Sequence, residues 1–245
     1  MNTANGASSK TRIGGRAGGT PMERSRDMGE AARTGPIRGY VKLSSAARAF
    51  NFDFRGRTVL DIGSSTGGFT QYALERGAKK VIAVEKGTNQ MLPFLRADPR
   101  VELHEKTDVF DFKAGVAETY LSKGLRLGRA PRSGPRKIGS DRTPAFDVIM
   151  ADVSFVSLRK ILAHAKAHLA DKDTDFLVML KPQFEAQSDQ LKNGIVKNDS
   201  LRRQIIKNFE QWLKKHGFVI IKKRDNELKG KTGNVERFYW LKIAK

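Results

Sequence analysis

The sequence predicts an α/β protein built on a mostly parallel sheet, with an antiparallel hairpin at its carboxyl-terminal edge. Three observations carry this expectation. Short, nearly continuous apolar runs recur at Val59-Leu60-Asp61-Ile62, Val81-Ile82-Ala83-Val84, Val148-Ile149-Met150-Ala151 and Phe176-Leu177-Val178-Met179-Leu180, as strands buried on both faces of a parallel sheet read. Segments with apolar residues at helical spacing separate them. The first run opens into Gly63-Ser64-Ser65-Thr66-Gly67-Gly68-Phe69-Thr70, a glycine-rich turn at the strand end where sheets of this kind bind ligands.

Residues 1–36 are rich in Gly, Ser, Thr, Ala and Arg, with few large apolar residues and no periodicity. Such a segment cannot offset its ordering entropy, so a disordered basic tail is expected. Its Lys10, Arg12, Arg16, Arg24, Arg26 and Arg33 suit an electrostatic arm on RNA as well as a plain solvated tail. The ordered domain is expected over 37–245. Leu43, Ala46, Ala47 and Phe50 predict a short helix before the first strand. Lys42 would then stand at the helix start, where the dipole disfavours a lysine.

After the first strand, Thr70 to Arg76 reads as a helix. Asp61 precedes the glycines Gly63, Gly67 and Gly68, which lack the G-x-G-x-x-G spacing of a dinucleotide loop. A carboxylate there repels a pyrophosphate and suits a cationic ligand, S-adenosylmethionine with its ammonium and sulfonium. Glu85 ends the second strand, about 20 residues on, where an acid accepts hydrogen bonds from ribose hydroxyls. Gln90 to Arg96 predicts a second helix with Pro93 in its first turn. Val101 to His104 predicts a third strand, with Asp108 beyond it either touching an adenine or solvated.

Residues 113–143 interleave Lys123, Arg126, Arg129, Arg132, Arg136, Lys137 and Arg142 with glycines and prolines. A stretch this long without periodicity inside a domain is functional or disordered, and a mobile basic insertion that clamps RNA is expected. Ala145 to Asp152 predicts a fourth strand ending in a carboxylate. The helix after it, Leu158 to Leu169, carries His164 and His168 at i, i+4, but no acid completes an H-E-x-x-H arrangement, so exposed positions and no metal are expected. Lys181 follows the central strand Phe176 to Leu180 and needs a partner there, which Asp152 on the neighbouring strand can supply. Asn198-Asp199-Ser200 caps a helix from Leu201 to Lys215. Phe218 to Ile221 and Val235 to Leu241 are the last strands, joined by 225–234.

The 245 residues carry a net charge of +20 and a pI near 10.3, which points to polyanionic partners, nucleic acid first. The chain has no cysteine, so disulfides, thiolate metal sites and cysteine nucleophiles are excluded. No apolar run approaches the ~18 residues of a membrane helix, and a cytoplasmic protein is expected.

Five separated stretches resemble one family. Leu60 to Thr70, Asp152-Val153-Ser154-Phe155-Val156-Ser157-Leu158, Lys181-Pro182-Gln183-Phe184-Glu185, Gly194-Ile195-Val196 and Gly233-Asn234-Val235-Glu236 look like the motifs of the TlyA, or hemolysin A-like, rRNA methyltransferases. The resemblance implies an FtsJ-like domain with the class I, Rossmann-like fold of S-adenosylmethionine-dependent methyltransferases and a seven-stranded sheet. It also implies 2′-O-methylation of ribosomal RNA, on cytidine. The catalytic Lys-Asp-Lys-Glu set it implies falls on Lys42, Asp152, Lys181 and Glu236. Cofactor-binding positions fall on Asp61, Gly63, Ser64, Thr66, Gly67, Gly68, Phe69, Glu85, Asp108 and Asp152.

The residue types suit that chemistry. A ribose hydroxyl is a poor nucleophile near neutral pH, and needs a group that accepts or eases off its proton. Lys181 is expected to do this, its pKa lowered by burial and by Lys42, with Asp152 and Glu236 orienting the two ammonium groups. Two departures stand out: Tyr40 replaces the family's usual second glycine in Arg38-Gly39-Tyr40-Val41-Lys42-Leu43, and Glu85 replaces an aspartate. The family's S4 RNA-binding domain has no counterpart in this sequence, so the tail and insertion are expected to supply RNA affinity. The alternative is a non-catalytic RNA-binding or ribosome-assembly protein on the same fold. A membrane-lytic hemolysin or a nicotinamide oxidoreductase is disfavoured.

Overall fold

The computed structural model describes residues 37–112, 146–228, 230 and 233–244. The tail expected over 1–36 and the basic insertion expected over 113–143 lie outside the described residues. Helix α1 (Arg38–Phe50) leads into β1 (Thr58–Ile62), α2 (Gly68–Glu75), β2 (Lys80–Val84), the single turn α3 (Pro93–Arg96) and β3 (Val101–His104). The second half comprises β4 (Val148–Ala151), α4 (Leu158–His168), β5 (Asp175–Leu180), the short hairpin β6 (Leu191–Lys192) and β7 (Ile195–Val196), α5 (Asp199–Lys215), β8 (Phe218–Asp225) and β9 (Arg237–Ile243).

Among the described residues one seven-stranded sheet runs β3-β2-β1-β4-β5-β9-β8. β1 to β5 pair in parallel, and β9 is inserted antiparallel between β5 and β8. The strand order reverses at β1, which pairs with β2 on one side and β4 on the other. Connections leave that point in opposite directions, which opens a crevice at the strands' carboxyl ends.

The continuous apolar runs have a simple cause. Side chains alternate between the sheet's two faces, and both faces are covered. Val59, Val81, Val148 and Leu177 pack with Leu43, Ala47 and Phe50 of α1 and with Tyr72 and Ala73 of α2. Leu60, Ile82, Ile149 and Phe176 pack on the other face with Leu158, Ile161 and Leu162 of α4 and with Phe209 and Leu213 of α5.

Three expectations are corrected and one element is added. α1 begins at Arg38, a turn earlier than the apolar spacing suggests, so Lys42 lies inside the helix and buried instead of at its start. The helix over 90–96 shortens to Pro93–Arg96, because the residue before a proline is held extended and Leu92 has ψ 142°. β9 begins at Arg237, so Glu236 precedes the last strand. The β6–β7 hairpin was not anticipated; its turn residues Asn193 and Gly194 have φ of 52° and 75°, the positive values of a two-residue hairpin loop. No helix among the described residues is long and apolar enough to cross a membrane.

Candidate active site

The glycine loop is shaped by what stands against it. Gly63 has φ +77°, and a Cβ there would meet the Asp152 carbonyl at 3.2 Å. Gly67 caps α2 in the left-handed region at φ 91°. A Cβ on Gly68 would lie 2.5 Å from the Tyr40 nitrogen and 2.9 Å from the Gly39 Cα. That close approach seats α1 on the loop and carries Lys42 toward the carboxyl edge of the sheet. Thr66 is exposed, its carbonyl accepting the Leu92 N–H, while Phe69 is buried with its ring 6.0 Å from Phe238. Thr66, Gly67, Gly68 and Phe69 therefore shape the loop without lining the cavity in front of it.

That cavity, about 700 Å³, is bordered by Gly63, Glu85, Asp108, Phe110, Asp152 and Phe155 among others. Glu85 fixes its rim: Oε2 accepts the Ser65 N–H at 2.8 Å and Oε1 the Gly87 N–H at 2.7 Å. Oε1 also accepts from the Gln90 amide at 3.5 Å, while Oε2 keeps a further lone pair for a hydroxyl. Asp108 accepts from the Phe110 N–H at 3.2 Å and from Lys86 at 3.0 Å, and these two hold its carboxyl below the usual range.

Asp61 is wholly buried. Its Oδ2 accepts the Thr70 hydroxyl at 2.7 Å, while its Oδ1 has no hydrogen-bond partner among the described residues. Burial pushes this carboxyl up to about 7, the Thr70 bond pulls it back, and Asp152 and Glu85 add repulsion. The buried Ser64 hydroxyl is likewise without a partner among the described residues. A buried carboxylate with an unused oxygen is costly unless a cation or donor arrives. The loop thus fits a ligand that carries an ammonium.

The acceptor side is built from strand ends. Asp152 follows β4 and Lys181 follows β5; the Lys181 Nζ lies 2.6 Å from Asp152 Oδ1 and donates to Ser154 Oγ at 2.9 Å. Lys42 and Glu236 form a second pair at 2.5 Å, with side chains 7% and 3% exposed. Leu180 pairs with Arg237 in the β5–β9 ladder, so one further step of that register sets Lys181 opposite Glu236. The four residues singled out in the sequence thus form two lysine–carboxylate pairs, Asp152, Lys181 and Glu236 at strand ends and Lys42 on α1.

Three contributors were not foreseen in the sequence. Ser154 holds Lys181. Asn226 donates its N–H to the Glu236 carbonyl at 2.8 Å, with its side-chain amide 3.5 Å from Glu236 Oε2. Phe155 stands at the cavity mouth 93% exposed, at φ 64°, its ring 5.3 Å from Phe184. The His164 and His168 ring centroids lie 4.8 Å apart with the rings tilted by 46°, and Phe110 is 5.1 Å from His164. No group of ligating residues suited to a metal ion is found among the described residues.

A reversed-order parallel sheet, a glycine loop with an unpaired carboxylate beneath it and a lysine–carboxylate array across the crevice define the methyltransferase class of α/β proteins. Residues 37–243 match the FtsJ-like methyltransferase family, and the chain belongs to it. It is 34% identical over 214 residues to the 16S/23S rRNA (cytidine-2′-O)-methyltransferase TlyA of Mycobacterium tuberculosis, covering 87% of this chain and 70% of the relative. Hemolysin A of Brachyspira hyodysenteriae is 34% identical over 196 residues, 80% of this chain and 71% of that protein. A solved hemolysin-named protein of Streptococcus thermophilus superposes with a TM-score of 0.69 at 31% identity, covering 85% of this chain and 66% of that one. The chain therefore spans a little under two thirds of that solved protein's length.

Proposed function

We propose that this protein transfers a methyl group from S-adenosylmethionine to a ribose 2′-hydroxyl of ribosomal RNA, on a cytidine. The observation that carries the reading is the Lys181–Asp152 pair at the cavity mouth, 2.6 Å apart, beside the buried Lys42–Glu236 pair. The Mycobacterium tuberculosis relative's named activity supports the choice of substrate, and the net charge of +20 suits a polyanion.

The cofactor supplies an electrophilic methyl on a sulfonium. Asp61 and Ser64, with Gly63 and Ser65 of the loop, would hold its amino-acid end. Glu85 would take the ribose hydroxyls, and Asp108 and Phe110 would border the adenine. Across the cavity, Lys181 lies 2.6 Å from Asp152 Oδ1 and donates to Ser154 Oγ, and as the neutral amine it would turn its nitrogen lone pair to the acceptor hydroxyl. As the 2′-oxygen forms its bond to the methyl carbon and the sulfur–methyl bond breaks, the hydroxyl proton would pass to that lone pair. The positive charge nearby stabilises the oxygen as it becomes anionic. Lys42, held by Glu236, adds to that field. Phe155 offers an exposed aromatic face on which the acceptor nucleobase would stack, and the basic segments 1–36 and 113–143 would contact the RNA backbone.

The test is transfer of a labelled methyl from S-adenosylmethionine to purified small and large ribosomal subunits, with the product mapped by mass spectrometry. A 2′-O-methylcytidine is the expected product. A methyl on a base, or no transfer to either subunit with the cofactor bound, would overturn the reading.

A further inference from the structure

Glu185 ties together the two loops that carry the acceptor side. It follows the short turn Pro182–Phe184, four residues beyond Lys181, and its side chain is 2% exposed. Oε1 accepts the Leu158 N–H at 2.7 Å, Oε2 accepts the Ser157 hydroxyl at 2.7 Å, and the Arg159 Nε lies 3.2 Å from Oε2. Ser157 Oγ in turn accepts the Arg159 N–H at 3.2 Å. One carboxylate from the loop after β5 therefore satisfies, directly or through Ser157, the first two free N–H groups of α4. A helix start needs only a local cap, and Ser157 is already that cap. The contact from Glu185, 27 residues away, does something more.

It closes the far end of the segment Asp152–Ser157. The near end leaves β4 with the Asp152 N–H on the Ile62 carbonyl at 3.3 Å. Between these anchors lie Ser154, which holds Lys181, and Phe155, whose φ of 64° is one a phenylalanine keeps only under constraint. The residue before Glu185, Phe184, lies against the Phe155 ring at 5.3 Å and beneath the Lys181 ammonium at 6.0 Å. The loops after β4 and β5 thus meet at two points: an aromatic pair that faces solvent and a buried carboxylate behind it.

We propose that Glu185 is a positioning residue for the transfer, holding the Asp152–Ser157 loop against the end of β5 so that Asp152, Ser154 and Phe155 face the acceptor together. The proposal rests on the functional reading above. Burial raises the Glu185 carboxyl above its usual value, with the Ser157 and Leu158 bonds opposing that rise. Glutamine keeps the Leu158 bond through its amide oxygen, while its amide nitrogen reverses the bond to Ser157 Oγ and gives up the Arg159 contact.

Glu185→Ala and Glu185→Gln are compared with the unmodified full chain in single-turnover methyl transfer and in amide hydrogen exchange, below the unfolding transition of each variant. Alanine is expected to slow transfer by about 100-fold, the scale of a misplacement of roughly 1 Å at a reacting centre, and to speed exchange at residues 153–158. Glutamine is expected to restore most of both. Transfer at the unmodified rate in Glu185→Ala overturns the proposal, as does slow transfer with the loop amides still protected, or a glutamine variant no better than alanine. If the unmodified protein methylates no RNA, the functional reading fails, and exchange at 153–158 alone decides whether Glu185 clamps the loop.

Discussion

Carboxylates stand on both sides of the crevice, and the two sides treat them in opposite ways. Under the glycine loop, Asp61 is buried with one oxygen on Thr70 and no ion pair among the described residues, and Glu85 faces the backbone N–H groups of Ser65 and Gly87. Across the switch point, Asp152 has Lys181 at 2.6 Å and Glu236 has Lys42 at 2.5 Å. A buried carboxylate without a cation destabilises the fold; one matched to a lysine offsets much of that cost. The difference shows where each side's positive charge comes from. On the function proposed above, the cofactor side would leave it to the ligand, whereas the acceptor side has its own and would direct it at an oxygen that is about to become anionic.

The largest effect breaks the acceptor side alone. Lys181→Ala should slow methyl transfer roughly 10²- to 10⁴-fold, the range of a lost general acid or base. Cofactor affinity measured by calorimetry should stay close to that of the unmodified protein, because Lys181 faces the acceptor. Unimpaired transfer in this variant would remove Lys181 from the mechanism.

Asp61→Asn breaks the other side, and its two effects have opposite signs. Cofactor affinity should fall by roughly 10- to 150-fold, equivalent to a charged hydrogen bond of about 1.5–3 kcal/mol. The thermal unfolding midpoint of the free protein should rise, since a neutral amide replaces a desolvated carboxylate. A lower midpoint with unchanged affinity would mean Asp61 serves the fold and not the ligand.

The same residue gives a pH dependence. Burial raises the Asp61 carboxyl to about 7 in the free protein, so the folded state holds its proton more tightly than the unfolded chain. Its contribution to stability is therefore fully present below the unfolded value and lost as pH rises toward about 7. A bound ammonium lowers that value again. Cofactor affinity should increase with pH up to about 7, by at most about tenfold per unit, and then level off, with proton release on binding in the acidic range. Calorimetry in buffers of different ionisation enthalpy reads that proton directly, and its absence below neutrality would contradict the unpaired state of Asp61.

How much of this was legible in the sequence depends on whether a feature has a period. Strands buried on both faces leave continuous apolar runs, so the sheet could be read from Val59-Leu60, Val81-Ile82 and Phe176 to Leu180. The start of α1 could not, because Arg38–Val41 is placed by the Gly39–Gly68 approach, a backbone contact with no side-chain signature. Strands of two residues show no alternation, which hid β6–β7 although Asn193-Gly194 marked the turn. The four residues of the lysine–carboxylate array were placed through the family resemblance. Asn226 and Glu185 reach across the chain to groups 10 and 27 residues away, and no local pattern encodes such a contact.

The smallest expected effect concerns Tyr40, which stands where the resembled family usually has glycine, two residues before Lys42. The side chain turns away from the crevice: its hydroxyl donates to Glu75 at 2.6 Å and its ring meets Tyr72 edge-on at 5.3 Å, both on α2. What α1 needs near this point is Gly39 against Gly68, and that contact is preserved. Lys42 is set by the backbone of α1 and by Glu236, neither of which the tyrosine ring touches in any recorded contact. Tyr40→Gly should therefore cost about 0.5 kcal/mol from helix propensity and about 0.5–1.5 kcal/mol from the lost ring contact, lowering the melting temperature by a few degrees. Transfer rate and cofactor affinity should not change, because the substitution lies behind both carboxylate arrangements. A slower transfer at a temperature where the variant is fully folded would show that the tyrosine helps fix the Lys42–Glu236 pair, and that the two sides of the crevice are coupled through the α1–α2 contact.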